Sequence, residues 1–318
     1  MILAQEVNVM EETNKIYLCI DLKSFYASVE CVERGLDPFE VNLVVADPDR
    51  GGGAITLAAT PAIKKLGVPS RGRIYEIPDN IEYIIARPRM HLYMEYSAKI
   101  YSIFLKHIAP EDIHVYSIDE AFLDATPYLE LYGLTPKQLA RRILEDIYDE
   151  TGITATVGIG TNLFLTKVAL DITAKHTPDN MGFLDEELFK QQLWHHTPLT
   201  DIWMIGAGTA RHLAKLGIFD LYDLTQYPEW ILYKEFGINA EILIDHAWGK
   251  EPVEIKDIKA YKPTSNSISN SQILFEDYNV NDAYLILKEM VDSNVLVLTE
   301  KHLVTDRISL FIGYSKDK

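Results

Sequence analysis

Three acidic residues occupy positions where strands are predicted to end. Asp21 follows the apolar run of residues 16–20, and the pair Asp119 and Glu120 follows the run of residues 113–118. Carboxylates that lie close together raise one another's pKa unless cations neutralise them. Mg²⁺ suits such a group, because it is a hard ion that binds a few carboxylates together with substrate phosphates. Two Mg²⁺ ions would support phosphoryl transfer. By spacing alone, however, three ordinary acids at exposed turns are the simpler explanation.

The segment directly after Asp21 passes from the end of a strand into the start of a helix. Free backbone N–H groups at such a point favour an anion, and a triphosphate beside Asp21 would suit that position. Phe25 and Tyr26 lie in this segment, and for Phe25 a place in the core is the favoured interpretation. Further on, residues 61–75 hold four basic residues, Lys64 among them, and no acidic one. Such a run is usually a solvated face.

Periodicity predicts the elements that would bring the acids together. Strands are predicted at residues 16–20, 113–118, 121–124 and 153–159, and helices at 88–104, 135–147 and 162–174. In chain order this is the ferredoxin-like βαββαβ pattern, with a long insertion after the first strand. In that topology the strand ending at Asp21 neighbours the strand entering the central hairpin. The three carboxylates are therefore expected to converge.

The inserted and C-terminal segments have weaker patterns. Strands are predicted at residues 43–46 and 55–59, joined by a glycine-rich hairpin turn and followed by a short helix at 60–66. Residues 176–182 are predicted to form a loop, 183–250 several short helices and 251–262 a polar linker. The last segment is predicted to form a strand at 265–275, a helix at 281–299 and a strand at 307–313. Such a half-unit buries its face poorly, so we expect the chain to be truncated.

Composition narrows the class of protein. The length of 318 residues favours two or more domains, and no apolar run approaches the ~20 residues of a membrane span. The N-terminus lacks a basic segment, so no secretory signal is predicted. Cys19 and Cys31 are predicted to be buried thiols, which fits a reducing cytoplasm. The net charge of −17 argues against a nucleic-acid partner, although net charge governs solubility and steering rather than any one site.

Two sequence blocks resemble the signature blocks of Y-family translesion DNA polymerases (UmuC/DinB-like, ImpB/MucB/SamB). They are Ile-Asp21-Leu-Lys-Ser-Phe-Tyr26-Ala-Ser-Val-Glu30 and Tyr-Ser117-Ile-Asp119-Glu120-Ala-Phe-Leu-Asp124. A third, Thr-Val-Gly-Ile-Gly-Thr-Asn-Leu-Phe-Leu-Thr-Lys167-Val-Ala, resembles another block of that family. The resemblance spans about residues 16–230 and is closest to the bacterial UmuC-like branch.

The resemblance implies template-directed addition of dNMPs to a primer 3′-OH, with lesion bypass in DNA repair and the SOS response. It implies two Mg²⁺ ions, bridged by Asp21 and Asp119, with Glu120 completing the catalytic site and the Leu22 carbonyl binding the nucleotide-side ion. The implied nucleotide contacts are Phe25, Tyr26, Thr60, Lys64 and Lys167. Among them, Tyr26 falls at the position that blocks a ribose 2′-OH.

One departure concerns Pro61, which stands where many members carry a tyrosine that binds the triphosphate. Proline has neither that hydroxyl nor a backbone N–H. Nucleotide binding is therefore expected to depend on Lys64, Lys167 and the Thr60 hydroxyl.

The resemblance also implies an α+β multidomain architecture. The expected domains are a ferredoxin-like palm (1–24 and 86–176), inserted fingers (25–85), a helical thumb (177–250), a linker (251–262) and a truncated α/β little finger (263–318). The thumb would grip the duplex backbone through a helix-hairpin-helix whose candidate contacts are Gly206, Gly208, Thr209, Arg211 and Lys215. Primer-template DNA and a dNTP are the expected partners, with a sliding clamp reached through a missing C-terminal region.

Two other functions remain open. A catalytically weak or inactive DNA-binding or regulatory relative would fit the acidic balance and Pro61, but the intact carboxylate trio argues against it. A nucleotide cyclase shares a similar two-metal βαββαβ core. A cyclase, however, needs neither the glycine-rich phosphate grip at residues 199–217 nor the long insertion after the first strand.

Overall fold

The computed structural model describes residues 15–263, 267–274 and 276–314. Residues 1–14, where no secretory signal is predicted, lie outside this range. The chain divides into two compact units, the first ending at Ala260 and the second beginning at Tyr261. Within the described ranges, no helix has the length and apolar character needed to cross a bilayer.

The first unit contains eight strands and twelve of the helices, and the second unit contains one helix. The strands are β1 Tyr17–Leu22, β2 Leu43–Val45, β3 Ala58–Ala59, β4 Ile84–Ala86, β5 Ile113–Val115, β6 Glu120–Asp124, β7 Ala155–Gly160 and β8 Met181–Leu184. The helices are α1 Phe25–Val32, α2 Pro61–Lys65, α3 Met90–Phe104, α4 Thr126–Tyr132, α5 Pro136–Thr151, α6 Leu163–Val168, α7 Glu186–Leu193, α8 Ala207–Lys215, α9 Leu221–Gln226, α10 Glu229–Phe236, α11 Asn239–Ala247, α12 Ile255–Ala260 and α13 Val280–Glu300. These counts apply to the described ranges only.

The main sheet has the strand order β5-β6-β1-β7-β8. Its first four strands, with α3 and α5 between them in sequence, form the predicted ferredoxin-like arrangement, so that prediction is confirmed. The strand β8 was not predicted, because residues 176–182 have the composition of a loop. It pairs in parallel with β7, with Val157 opposite Met181.

Side chains alternate between the two faces of β1, as they must in a strand. Leu18, Ile20 and Leu22 pack in the large core that α3 and α5 cover. Tyr17 and Cys19 point to the other face, where they pack with the α6 segment. The next residue on that second face is Asp21. The alternation therefore places its carboxylate on the α6 side of the sheet.

Two glycines of β7 let α6 lie directly on the sheet. A Cβ at Gly160 would lie 2.5 Å from the Thr166 backbone nitrogen, and one at Gly158 would overlap the Thr166 carbonyl and the Leu170 backbone. Any larger residue would push the helix away. The predicted helix at residues 162–174 is not uniform, since a π-type turn follows α6 and a short 3-10 turn follows that. Such π turns often mark functional segments.

The inserted segment forms its own three-stranded sheet, in the order β3-β2-β4. Its predicted glycine-rich hairpin is a longer 3-10 turn at Pro48–Gly53, and only Ala58 and Ala59 of the predicted second strand pair with β2. The helices α7 to α11 share a separate apolar core with part of α6. Short helices therefore form as predicted from residue 186 to residue 247, whereas residues 183 and 184 belong to β8.

The remaining C-terminal segments differ from the sequence predictions. Within residues 251–262, α12 forms, and Ile255 is buried against Tyr17 and Phe122, so the polar pattern concealed one anchoring side chain. In the second unit, α13 agrees with the predicted helix, with Asn279 capping its start. The strands predicted at 265–275 and 307–313 are absent among their described residues, since a strand needs a neighbour to pair with. Residues 265, 266 and 275 lie outside the description.

Candidate active site

The three predicted carboxylates meet at one edge of the main sheet. Asp21, near the end of β1, stands opposite Glu120, the first residue of β6. Asp119 directly precedes β6, and its carbonyl accepts a hydrogen bond from the Leu22 amide at 3.0 Å. All three acidic residues are partly buried. Neighbouring antiparallel strands therefore bring together residues that lie almost a hundred positions apart in the chain.

The negative charge at this edge is only partly compensated. Burial, together with the charges of Asp119 and Glu120, raises the pKa of Asp21 to about 7. The ammonium groups of Lys175 and Lys167 oppose this rise. The Ser117 hydroxyl donates to Asp119 Oδ1 at 2.6 Å. Ser117 thereby orients one carboxylate, a role that the sequence alone did not assign to it.

Glu120 is held by a buried network. Lys167 Nζ lies 2.8 Å from Glu120 Oε1 and 3.0 Å from Asp171 Oδ2. The Cys19 thiol donates to the same Glu120 oxygen at 3.1 Å. Burial alone would lower the pKa of Lys167, but attraction to Glu120 and Asp171 raises it overall. In this structure the ammonium group of Lys167 is buried against Glu120 and Asp171, and its contact with the triphosphate stays a prediction.

The donor chemistry of this edge fits a hard divalent cation. Three carboxylates and the backbone of Leu22 offer oxygen ligands, and a cation would relieve the repulsion that raises the pKa of Asp21. Among the described residues, no three His, Cys, Asp or Glu side chains already stand in an arrangement that could hold a metal ion. The carboxylates must therefore turn toward one another before they can share a metal ion.

The two aromatic candidates separate in the structure. Phe25 is buried in the main core with 2% exposure, so its side chain packs there, and its contact with a nucleotide stays a prediction. Tyr26 is partly buried, and burial and the charge of Asp119 raise the pKa of its hydroxyl. The charge of Asp119 therefore acts on the Tyr26 hydroxyl, and the contact of Tyr26 with the sugar stays a prediction.

Lys64 reaches the cluster from the inserted segment. Its Nζ donates to the Ser24 hydroxyl at 2.8 Å, at the turn between β1 and α1. Burial lowers the pKa of Lys64, while Asp21 opposes that shift and Lys175 adds to it. Lys175 was missed by the sequence reasoning, although the spacing of residues 167, 171 and 175 along one face pointed to it. Its side chain is 49% exposed and bonds to Asp171 Oδ1 at 3.2 Å.

Thr60, a predicted nucleotide contact, is bonded within the protein in this structure. Thr60 has 0% exposure, and its hydroxyl donates to the Val41 carbonyl at 2.8 Å and accepts from the Leu43 amide at 3.1 Å. The hydroxyl therefore ties the residue before α2 to residues 41 and 43 and is not exposed in this structure. Pro61 occupies the first position of α2, where a missing N–H costs nothing.

The predicted duplex contacts lie together at α8. Gly206 caps the helix without a side-chain bond, and Gly206 and Gly208 are exposed with open space around them. Arg211 and Lys215 are exposed, and Thr209 is half-buried. Open backbone amides beside two cations are suited to a phosphate.

Comparison with known families places the sequence blocks in context. The model of the impB/mucB/samB family matches residues 20–171, which include the carboxylate trio and Lys167. A Bacillus subtilis (strain 168) protein named for UV-damage repair, UvrX, is 36% identical over 308 residues, covering 96% of this chain and 72% of that protein. DNA polymerase IV 2 of the same organism is 33% identical over 267 residues, covering 83% of this chain and 63% of that protein.

Two solved structures share the fold of this chain. DinB from Sulfolobus solfataricus is 30% identical with a TM-score of 0.62, over 75% of this chain and 69% of that chain. A Y-family DNA polymerase chimera, Dbh-Dpo4(243-245)-Dbh, is 27% identical with a TM-score of 0.70, over 88% of this chain and 80% of that chain. The predicted family and fold class are confirmed, and the names support a repair DNA polymerase. Relatives of this type imply dependence on a divalent cation in general. The chain belongs to the impB/mucB/samB family and shares its fold with Y-family DNA polymerases.

Proposed function

We propose that this chain is a template-directed DNA polymerase that adds dNMPs to a primer 3′-OH and extends primers across damaged templates. The observation that carries the proposal is the carboxylate cluster at the end of β1, where charge repulsion and burial raise the pKa of Asp21 to about 7. Such a cluster favours cations and, through them, phosphates. The cations Lys64 and Lys175 are electrostatically coupled to Asp21.

Asp21, Asp119, Glu120 and the Leu22 carbonyl would hold two Mg²⁺ ions. When bound, such ions activate an attacking hydroxyl and stabilise a leaving pyrophosphate. The protein's own contribution is to aim these ligands. Ser117 orients Asp119 through a hydrogen bond, and Lys167 holds Glu120 through an ion pair.

The substrate would lie between the cluster and the inserted segment. Lys64 and Lys175 would hold the triphosphate, and Lys167 stays a predicted third contact. Tyr26, whose hydroxyl is influenced by the charge of Asp119, would block a ribose 2′-OH. Pro61 contributes the start of α2 rather than a hydrogen bond to phosphate.

The α8 segment would grip the duplex through phosphates alone, with Gly206, Gly208, Thr209, Arg211 and Lys215 as its contacts. We propose the division into palm, fingers, thumb, linker and little finger on the same grounds. Binding to a sliding clamp stays a prediction.

Primer extension tests the proposal. The chain should extend an annealed primer only with template, dNTP and a divalent cation, with Mg²⁺ and Mn²⁺ compared. Asp119→Asn should lower the rate at least about 100-fold, because the site loses a carboxylate ligand of the metal ions that stabilise the transition state. Binding to duplex DNA should stay near wild type. Asp149→Asn, which changes an exposed acid on α5, is the matched control.

Two outcomes would contradict the assignment. Folded wild-type chain that binds duplex DNA but extends no primer would make the protein a non-catalytic DNA-binding relative. Near-normal extension by Asp119→Asn would remove that carboxylate from the site.

A further inference from the structure

Behind Tyr26 lies a second tyrosine that the proposed reaction does not use. The rings of Tyr26 on α1 and Tyr93 on α3 stack with centroids 4.4 Å apart and planes 12° from parallel. Tyr93 has 0% exposure, so its ring cannot move without disturbing the core. Tyr26 is therefore supported on one side by an immobile aromatic surface.

Tyr93 is fixed in turn by a buried carboxylate. Its hydroxyl donates to Glu30 Oε1 at 2.7 Å, and Glu30 has 0% exposure. Arg89 donates to both oxygens of Glu30, at 2.9 Å and 2.8 Å, and Arg34 also donates to Glu30. Burial would raise the pKa of Glu30, but these hydrogen bonds outweigh it and hold the pKa below its ordinary value. Glu30 thus stays charged and firmly placed.

These contacts connect α1 and α3 in two ways, through the stacked rings and through the bonds of Glu30. Glu30 lies one helical turn after Tyr26 on α1, and Arg89 and Tyr93 lie one turn apart at the start of α3. The ion pair joins the two helices at the point where the rings stack. A steric block works only if the blocking ring cannot swing aside, because a ring that yields admits the larger substrate.

We propose that Tyr93, anchored by Glu30, is a positioning residue that sets sugar selectivity by preventing Tyr26 from yielding to a ribose 2′-OH. This inference rests on the proposed polymerase function and on Tyr26 as the residue facing the sugar. Tyr93 itself touches neither the substrate nor the carboxylate cluster in this scheme.

The chain supplies a matched control one turn away. Tyr96, also on α3, donates its hydroxyl to Glu33 Oε1 at 2.7 Å, which copies the bond between Tyr93 and Glu30. Tyr96 is only partly buried and is outside the Tyr26 stack. Its replacement removes a similar side chain and a similar bond between α1 and α3 without removing the support of Tyr26.

The test compares kcat/KM for a matched dNTP and rNTP in single-nucleotide extension. Tyr93→Leu should lower the preference for dNTP roughly tenfold, the scale of one lost ring stack. Tyr93→Phe keeps the ring stack with Tyr26 and should retain most of the wild-type preference for dNTP. Tyr96→Leu should keep the wild-type ratio. A Tyr93→Leu protein that unfolds like wild type and keeps the wild-type ratio would overturn the inference.

A double variant separates positioning from general damage. Tyr26→Ala should admit ribonucleotides by itself, and Tyr93→Leu added to Tyr26→Ala should change the ratio no further. Additive losses would show that Tyr93 acts independently of Tyr26 and would overturn the inference.

Fluorine NMR on protein labelled with 3-fluorotyrosine gives a readout that needs no catalysis. Tyr93→Leu should shift the Tyr26 resonance, which Tyr26→Phe identifies, whereas Tyr96→Leu should leave it in place. An unmoved resonance in Tyr93→Leu would overturn the inference by itself. If wild-type protein extends no primer with dNTP, the proposed function fails and the selectivity role fails with it, while the resonance still decides whether Tyr93 supports Tyr26.

Discussion

Glu120 shows how one side chain can be predicted from sequence while its surroundings cannot. Its pairing with Asp119 and its place at the end of a predicted strand follow from local patterns, and the topology adds its convergence with Asp21. The bonds from Lys167 and Cys19 depend on how closely α6 approaches the sheet, which no local pattern records. The same limit applies to Thr60, whose burial depends on contacts with residues 41 and 43.

Removal of the Lys167 ammonium group should show how much stability the protein loses when a buried carboxylate of the cluster has no cationic partner. In divalent-free buffer, Lys167→Met should lower the free energy of unfolding by about 3 kcal/mol, because Glu120 then remains buried without its partner. The measurement is urea unfolding. Lys190→Met, which removes a partly exposed pair with Glu187, should change it by less than about 1 kcal/mol. Glu120→Gln added to Lys167→Met should recover part of the loss, and a further loss would contradict the pairing.

The two exposed or half-buried cations at the site should matter for the nucleotide rather than for the fold. Lys64→Ala and Lys175→Ala should each raise the KM for dNTP about tenfold, the value of one lost charge-assisted contact. Steady-state extension at varied dNTP measures this. Lys65→Ala, the exposed neighbour of Lys64, is the control. If Lys167→Met raised the KM for dNTP tenfold and Lys175→Ala had no effect, the contact with the triphosphate would belong to Lys167 and not to Lys175.

At the scale of elements, periodicity predicted those with long apolar repeats and missed those defined by contact. The helix α5 begins with a Thr135 capping box and Pro136 and carries Leu139, Ile143 and Ile147 toward the core, so its sequence alone identifies it. The strand β8 is four residues long and gains its stability from pairing with β7. The two glycines of β7 are visible in the sequence, but only the structure shows that they admit the α6 backbone.

The junction of α1 and α3 should be sensitive to acid. Since Glu30 has a pKa held below its ordinary 4.5, its bonds stabilise the fold fully above that value and are lost as pH falls through the lower folded-state pKa. Glu30→Gln should lower the free energy of unfolding by about 2 kcal/mol at neutral pH. Below pH 4.5 the difference from wild type should narrow, as urea unfolding at several pH values would show. A constant difference would contradict the depressed pKa, and Glu33→Gln is the control.

For the whole molecule, the net charge of −17 and the proposed DNA partner are reconciled by local distribution. The cations that serve the proposed function lie at defined points: Lys64 and Lys175 at the carboxylate cluster, Arg211 and Lys215 at α8. An acidic surface elsewhere repels nucleic acid that is not held at those points. Net charge was therefore a poor guide to the partner.

Binding to duplex DNA should weaken with salt in proportion to the phosphates contacted. Arg211→Ala with Lys215→Ala should reduce the slope of log K against log salt by about 2, because each lost contact removes close to one unit. Fluorescence anisotropy with a labelled duplex measures the slope. Lys137→Ala with Arg141→Ala changes charge equally on exposed positions of α5 and should leave the slope unchanged. Equal effects of the two pairs would show only general attraction.

The buried thiol of Cys19 can report the rate of local opening of the structure around it. Cys19 has 0% exposure and lies on β1 against Glu120 and the α6 segment, so an alkylating reagent reaches it only when that packing separates. Cys31, equally buried in the other core, reports a different opening. The alkylation rate of Cys19 therefore measures how often α6 lifts from the sheet, and a cation that draws Glu120 away from Lys167 would change that rate before any nucleotide is joined.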